Sequence, residues 1–306
     1  MPEMLWESTD AVVELPRRFG FGSADAASAW AEQLLAEDYD LEVVSLDRMV
    51  ISSHNLMVWV TAGSAGRVMI KICRRSEAHG WLNVRGALVR WLAERGLPVA
   101  APRLSRGGDH QLLRDGRSVG VQPVLPGELL DAEDPDQVRS AGSTLAALHI
   151  QLAVWPDAEL LEHVQPVAGG DQVWGYPNGQ AGLVPSELQR RLDQLIVDLP
   201  ELPRQPVHAD FRGANVLSRD GQITGVIDFE EARVDAAVVD LAHAVCLLGT
   251  WYRNWRPITP EAQLLFLDSY TNLRPLTEVE QIWLSPLIAW RMLGQGWWED
   301  ADRWLS

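Results

Sequence analysis

The chain has 306 residues, 47% apolar and 22% charged, with 26 basic against 42 acidic side chains. That is the composition of a folded protein large enough for one big domain or two lobes, and it excludes intrinsic disorder. A net charge of −16 repels phosphate backbones, which rules out nucleic acid as the main partner, whereas a cationic small molecule would be welcome.

Cys73 and Cys246 each lie in an apolar run without C-x-x-C spacing, so neither a disulfide framework nor a thiolate zinc site is expected. The start, "MPEMLWESTD", is acidic where a signal peptide needs positive charge, and the apolar run near residue 240 is interrupted by Asp240 and His243. A soluble cytoplasmic protein with no membrane partner is expected, monomer and homodimer both remaining open.

In chain order, residues 41–72 alternate as strands ("LEVVSLDRMVI", "NLMVWVTAG", "GRVMIKIC") and predict an antiparallel meander. A helix follows, with Ser76 at the N-cap, apolar positions at 81, 84, 88, 91 and 92, and Gly96 and Pro98 as stop signals. Two strand-like pieces surround "LSRGGDHQLL" and "RSVGVQPVL". The pattern breaks at Pro126 and Gly127, with the lobe boundary placed near residue 122, giving parts 1–122 and 123–306. Beyond it, "DPDQVRSAGSTLAALHIQL" reads as a helix, residues 156–186 as a long Gly- and Pro-rich connection, and "SELQRRLDQLIVDLP" as another helix. "NVLSRDGQITGVIDF" reads as a hairpin, and amphipathic helices run to the end. The last 56 residues hold seven of the fourteen tryptophans.

The chemistry concentrates in "HADFRGANV", residues 208–216. Folding the hairpin through Asp220 and Gly221 brings Asn215 and Asp228 together with Asp210 nearby, a set of hard oxygen donors suited to magnesium rather than zinc. Phosphoryl transfer needs metal ions on the phosphates, a carboxylate to orient the hydroxyl and positive charge near the transferred group. Asp210 is the candidate base, Asn215 and Asp228 the metal ligands, and Arg212 or Lys71 the positive charge. No Walker-type P-loop occurs.

"HADFRGANVL", then "GVIDFEEA", then "DLAHAV", resembles the signature of the aminoglycoside phosphotransferase and choline kinase group, small-molecule kinases of protein-kinase-like fold. "VMIKIC", "VGVQPVLPGELL" and "AGSTLAALHI" resemble the lysine-bearing strand, the hinge and the helix after it, so the resemblance covers residues 45–245. It implies an α+β, two-lobed fold with an antiparallel N-lobe sheet plus helix and a mainly helical C-lobe, ATP or GTP as donor and Mg2+ as metal. Lys71 would hold the α- and β-phosphates, "ISSHN" (Ile51 and then Ser52, Ser53, His54, Asn55) would cover them, and Pro123 and Val124 would form the hinge. His208 would support the loop and Asp240 pin its backbone. The group's helix glutamate is missing from "NVRGAL" at 83–88, and Glu77 is the expected substitute because 77, 81, 84, 88 and 91 share a helical face. His149, His163 and His243 are expected to be structural.

The expected activity is transfer of the γ-phosphate to a hydroxyl of a small molecule, with an aminoglycoside-like or nucleoside antibiotic as the leading acceptor (a resistance-type kinase). Glu230, Glu231, Trp174, Tyr176, Asp268, Trp290, Trp298 and Glu299 are its candidate binding residues. "HAD" and "GVIDF" also resemble bacterial homoserine kinases, which makes an amino-acid or amino-alcohol acceptor the alternative; a guanidinium for an α-carboxylate would separate the two. Other classes are a non-catalytic nucleotide-binding protein and a hydrolase holding metal on His208, Asp210 and Asp228. A protein kinase is disfavoured, since no A-P-E element follows the I-D-F motif.

Overall fold

The computed structural model describes residues 1–164, 184–196 and 199–305. The chain divides into two compact units, Met1–Leu125 and Pro126–Ser306.

In the first unit, β1 (Glu3–Met4), α1 (Ala11–Phe19) and α2 (Ala24–Tyr39) precede the meander β2 (Val43–Ile51), β3 (Asn55–Ala62) and β4 (Gly66–Cys73). Then come α3 (His79–Glu94), β5 (Leu112–Arg114) and β6 (Arg117–Pro123). The sheet order is β1-β2-β3-β4-β6-β5, antiparallel throughout except that β1 runs parallel to β2. Alternation along β4 sends Val68, Ile70 and Ile72 to one face and Met69 and Lys71 to the other. The first face joins Val58, Val60, Val119 and Val121 in a core closed by Leu15 and Phe19 of α1 and Ala31, Leu34 and Leu35 of α2. Each such large side chain contributes about 1.5–3 kcal/mol on burial. Asp10 caps α1 by accepting from Val12 N–H, and Ser23 caps α2 by accepting from Ala26 N–H.

The third helix differs from its sequence expectation. Ser76 opens a single 3-10 turn, the α-helix begins at His79, and its buried stripe is Leu82, Arg85, Leu88, Val89 and Leu92. The face expected to bury Glu77 is therefore the wrong one: Glu77 sits in the 3-10 turn and is exposed.

In the second unit, β7 (Glu128–Leu129) leads into α4 (Pro135–Leu152), α5 (Ala158–Val164) and α6 (Ser186–Leu195). The strands β8 (Gln205–Val207), β9 (Val216–Arg219), β10 (Gln222–Val226) and β11 (Arg233–Asp235) follow, then α7 (Ala237–Leu247), α8 (Pro260–Leu273), α9 (Glu278–Gln295) and α10 (Trp298–Asp302). Part of the connection expected at 156–186 is thus helical. Strands β9 and β10 form a hairpin through Asp220 (φ 51°) and Gly221 (φ 75°), two left-handed residues as its tight turn requires. β7 pairs with β9, and β8 with β11. Helices α4 and α8 approach closely at Gly142, where a Cβ would stand 2.4 Å from Phe266 O.

Candidate active site

Strand β8 ends at Val207 and β9 begins at Val216, so residues 208–215 form a loop whose two ends are fixed in different sheets. Little of its backbone is left to water. Asp240, buried in the first turn of α7, accepts from His208 N–H (3.1 Å) and Ala209 N–H (2.9 Å). Its Oδ2 also takes His149 Nε2 at 3.0 Å, and Tyr270 closes the chain by donating to His149 Nδ1 at 2.6 Å. Burial works to raise the Asp240 carboxyl, but the His149 hydrogen bond and the nearby imidazoles prevail and lower it to about 2. These bonds hold Ala209 left-handed at φ 66°, a conformation with a steric cost for any residue bearing a Cβ.

His208 is buried and fully engaged. Asp210 N–H donates to its Nδ1 (3.1 Å), which fixes the proton on Nε2, and that N–H donates to Ile227 O (3.1 Å). An imidazole with both nitrogens used by the backbone cannot ligate a metal, which removes it from the hydrolase ligand set considered above.

Asp210 is the centre of the cluster. Arg212 Nε lies 3.1 Å from each carboxylate oxygen, Asn215 Nδ2 donates to Oδ2 at 2.7 Å and to the Asp210 carbonyl at 2.9 Å, and His243 Nε2 stands 3.7 Å from Oδ1. Burial raises the Asp210 carboxyl, but the approach of His243 and the charge of Arg212 outweigh it and hold it below its usual range. The carboxylate is therefore ionised and aimed. Arg212 bridges to Asp210 itself and also lies 5.8 Å from the Trp255 ring centre.

Asn215 is buried, and with its amide nitrogen spent on Asp210 its side-chain oxygen is left to accept. Ile227 N–H donates to Asn215 O at 2.9 Å, which sets Asp228, left-handed at φ 65°, beside Asn215 at the open end of the hairpin. One amide oxygen and one carboxylate, with room for phosphate oxygens and water, match the donor set of magnesium in phosphoryl-transfer sites. Among the described residues no group of three or more His, Cys, Asp or Glu side chains is placed to hold a metal alone.

In the first unit, Lys71 is half-buried on the sheet face opposite the core, across from Met57 and Gly120. The Ser52–Asn55 segment is a tight hairpin that closes on itself: Ser52 N–H donates to Asn55 O (2.8 Å), and Asn55 N–H to Ser52 Oγ (3.1 Å). Ser52 and Asn55 are buried in these bonds, leaving Ser53 and exposed His54 at the tip. Arg18 of α1 donates to Ser52 O at 3.1 Å and is ion-paired with Glu7 and Glu14. At the end of β6, Val124 N–H is taken by Arg67 O at 3.0 Å, and antiparallel alternation turns the Pro123 carbonyl away from β4.

The expected acceptor residues scatter. Glu230 and Glu231 directly follow Asp228 in a 3-10 turn. Trp290 is 4% exposed and packed inside, a correction to its expected place at a ligand: the inner stripe of α9 carries it into the core. Asp268, Trp298 and Glu299 are exposed on α8 and α10. Trp174 and Tyr176 lie outside the described residues. The sequence reading passed over Gly213, where a Cβ would meet Leu248 O at 2.5 Å and Trp251 Nε1 at 2.9 Å; a glycine between Asp210 and Asn215 was the available signal. It also set His243 aside as structural, although its place one helical turn after Asp240 carries it to Asp210.

Comparison with known proteins agrees with this geometry. Residues 50–278 match the model of the "Phosphotransferase enzyme family". A homoserine kinase of Gluconobacter oxydans is 30% identical over 211 residues, 65% of this chain and 64% of that enzyme. One of Methylobacillus flagellatus is 30% identical over 252 residues, 79% of this chain and 75% of the enzyme. Among solved structures, amicoumacin kinase hAmiN, in complex with AMP-PNP, Ca2+ and Ami, superimposes with a TM-score of 0.63 at 16% identity, over 96% of this chain and 95% of its own. A family match over three quarters of the chain, on a loop whose aspartate, arginine and asparagine are bonded to one another, makes this chain a member of the phosphotransferase enzyme family.

Proposed function

We propose that this protein is a small-molecule kinase that transfers the γ-phosphate of ATP to a hydroxyl of its acceptor, with Mg2+ as the assisting metal, and that it works in the cytoplasm. The observation that carries the reading is Asp210, an ionised carboxylate fixed by Arg212 and Asn215 beside the paired oxygens of Asn215 and Asp228. Asp210 accepts the hydroxyl proton as the acceptor oxygen bonds to the γ-phosphorus and the bond to the β,γ-bridging oxygen breaks, releasing ADP, and Arg212 and Asn215 keep its lone pairs directed. Asn215 Oδ1 and the Asp228 carboxylate would hold the metal, which would supply neutralising charge for phosphoryl transfer. Lys71 supplies positive charge to the α- and β-phosphates, the Ser53–His54 tip covers them, and the Pro123 carbonyl is the free hinge group. In this reading residues 1–122 bind the nucleotide and residues 123–306 carry the catalytic loop and the acceptor.

Homoserine kinases among the relatives support an acceptor of amino-acid or amino-alcohol size, and they share more sequence with this chain than the solved structures do. A second reading, an antibiotic acceptor and a resistance role, is supported by the likeness to amicoumacin kinase over nearly the whole chain. The test is acceptor-dependent release of ADP from Mg-ATP across amino acids, amino alcohols and hydroxylated antibiotics. Turnover that needs Mg2+ and is lost in Asp210→Asn is expected. Turnover that needs zinc, or ATP hydrolysis indifferent to every acceptor, would overturn the proposal.

A further inference from the structure

The connection between α7 and α8, residues 248–259, is fastened to the 208–216 loop. Thr250 O accepts from Ala214 N–H at 3.2 Å. The Trp251 ring lies where a Cβ on Gly213 would point, and its Nε1 donates to Leu130 O at 3.2 Å. Trp251 and Asn254 close a tight turn by exchanging backbone hydrogen bonds of 2.8 and 3.2 Å. Trp255 Nε1 donates back into that turn at Tyr252 O (3.3 Å), and Arg256, the next residue, is ion-paired with Glu133 at 2.9 Å. The backbone on both sides of Trp255 is therefore fixed, and its own N–H orients the ring. That ring is exposed, and the group it meets is Arg212.

Arg212 needs a second hold. Its side chain is largely buried, and its Nε lies 3.1 Å from each Asp210 carboxylate oxygen. Neither Nη nitrogen makes a hydrogen bond to a described residue. A guanidinium that meets a carboxylate through one nitrogen can swing about that contact, which the usual pair of parallel bonds prevents. Arginine also has many rotamers to populate when nothing restrains its far end. The Trp255 ring supplies the restraint: the guanidinium carbon stands 5.8 Å from its centre, inside the reach of about 6 Å over which an aromatic face attracts a cation. Partial burial of Arg212 strengthens that attraction over a surface pair.

We propose that Trp255 is a positioning residue for phosphoryl transfer: its indole face holds the Arg212 guanidinium so that Nε stays on Asp210 and both Nη nitrogens are left to meet charge on the transferred group. Trp255 itself touches no reacting atom. Asp240 then fixes the entry of the loop, Asn215 its exit, and the α7–α8 connection its middle. The inference rests on the kinase reading above.

The test compares Trp255→Leu, which keeps apolar bulk without an aromatic face, with Trp255→Phe, which keeps a face. Release of ADP from Mg-ATP is followed with L-homoserine as acceptor. Trp255→Leu should lower kcat by about 2- to 30-fold, the span of such a contact, with both KM values within about twofold of wild type, and Trp255→Phe should recover most of the loss. In an Arg212→Met background Trp255→Leu should cost nothing further, as expected of a residue that acts through the arginine. A second readout needs no turnover. The NMR signal of Arg212 Nε–H, assigned by its absence in Arg212→Lys, should exchange slowly with water in wild type and Trp255→Phe and quickly in Trp255→Leu. That exchange pattern without phosphorylation of any acceptor would uphold the positioning and defeat the kinase reading alone. Should Trp255→Leu not fold, Trp255→Gln takes its place. Equal kcat or equal exchange in the Leu and Phe variants, or a further loss in the Arg212→Met background, overturns the inference. So does a raised homoserine KM at unchanged kcat, which would make Trp255 an acceptor contact.

Discussion

Residues 208–216 and residues 52–55 are both short polar turns, given to charge handling and to cover in the proposed function, and they are held in opposite ways. The loop of the second unit spends its own side chains on itself: His208 on Asp210 N–H, Asn215 and Arg212 on the Asp210 carboxylate, with Asp240 of α7 holding the entry. The hairpin of the first unit closes with Ser52 and Asn55 and is anchored from outside by Arg18. A loop that must hold charge at fixed points needs many short bonds within it. A loop whose task is cover needs a tight turn and one external anchor.

The largest effect that sharpens this comparison is expected from Asp210→Asn, which should lower the transfer rate by about 10²–10⁴ while calorimetry shows Mg-ATP still bound. Near-normal turnover would break the assignment of charge handling to the 208–216 loop. Next is Asp240→Ala, which strands the His208, Ala209 and His149 donors at about 1–3 kcal/mol each and should lower the melting temperature sharply.

The same carboxylate predicts an acid-side signature. Its folded value of about 2 lies below the ordinary value of about 3.9, so its stabilisation is complete above the ordinary value and is lost as pH falls from there toward the folded one. Melting temperature against pH should therefore fall less steeply on the acid side in Asp240→Asn than in wild type, and parallel slopes would count against the pinning bonds.

Gly213→Ala pushes a Cβ against Leu248 O and should cost about 1–3 kcal/mol, read as a lower urea midpoint together with reduced kcat. In the first unit, Arg18→Met should raise the nucleotide KM a few-fold with little change in kcat, the reverse of the Asp210→Asn pattern, because it loosens cover and leaves the base alone. Smallest is Ser53→Ala, whose hydroxyl makes only a 3.4 Å contact with Glu7; stability within about 0.5 kcal/mol of wild type is expected by denaturant titration.

Much of this molecule was legible without coordinates where the physics is local. Strand alternation located the meander, Asp220 and Gly221 located the hairpin turn, and the spacing within "HADFRGANV" brought Asp210, Arg212 and Asn215 into contact, since turn geometry and short spacing decide those contacts. Glu77 was misread because an N-cap serine also opens a 3-10 turn, which rotates every later position off the expected face. The N-terminal helices gave no signal of their role: apolar and small residues such as Leu15, Ala27 and Ala31 become a core only against a sheet face formed elsewhere in the chain. By itself the sequence determined the family and the cluster of polar side chains at 208–216, because residues within nine positions must meet whatever surrounds them. Tertiary structure alone decided that Trp290 is core, that Arg18 holds the hairpin, and that His243 reaches Asp210. Those facts depend on which distant helices and strands pack together, and on which carboxylates are already taken when they do.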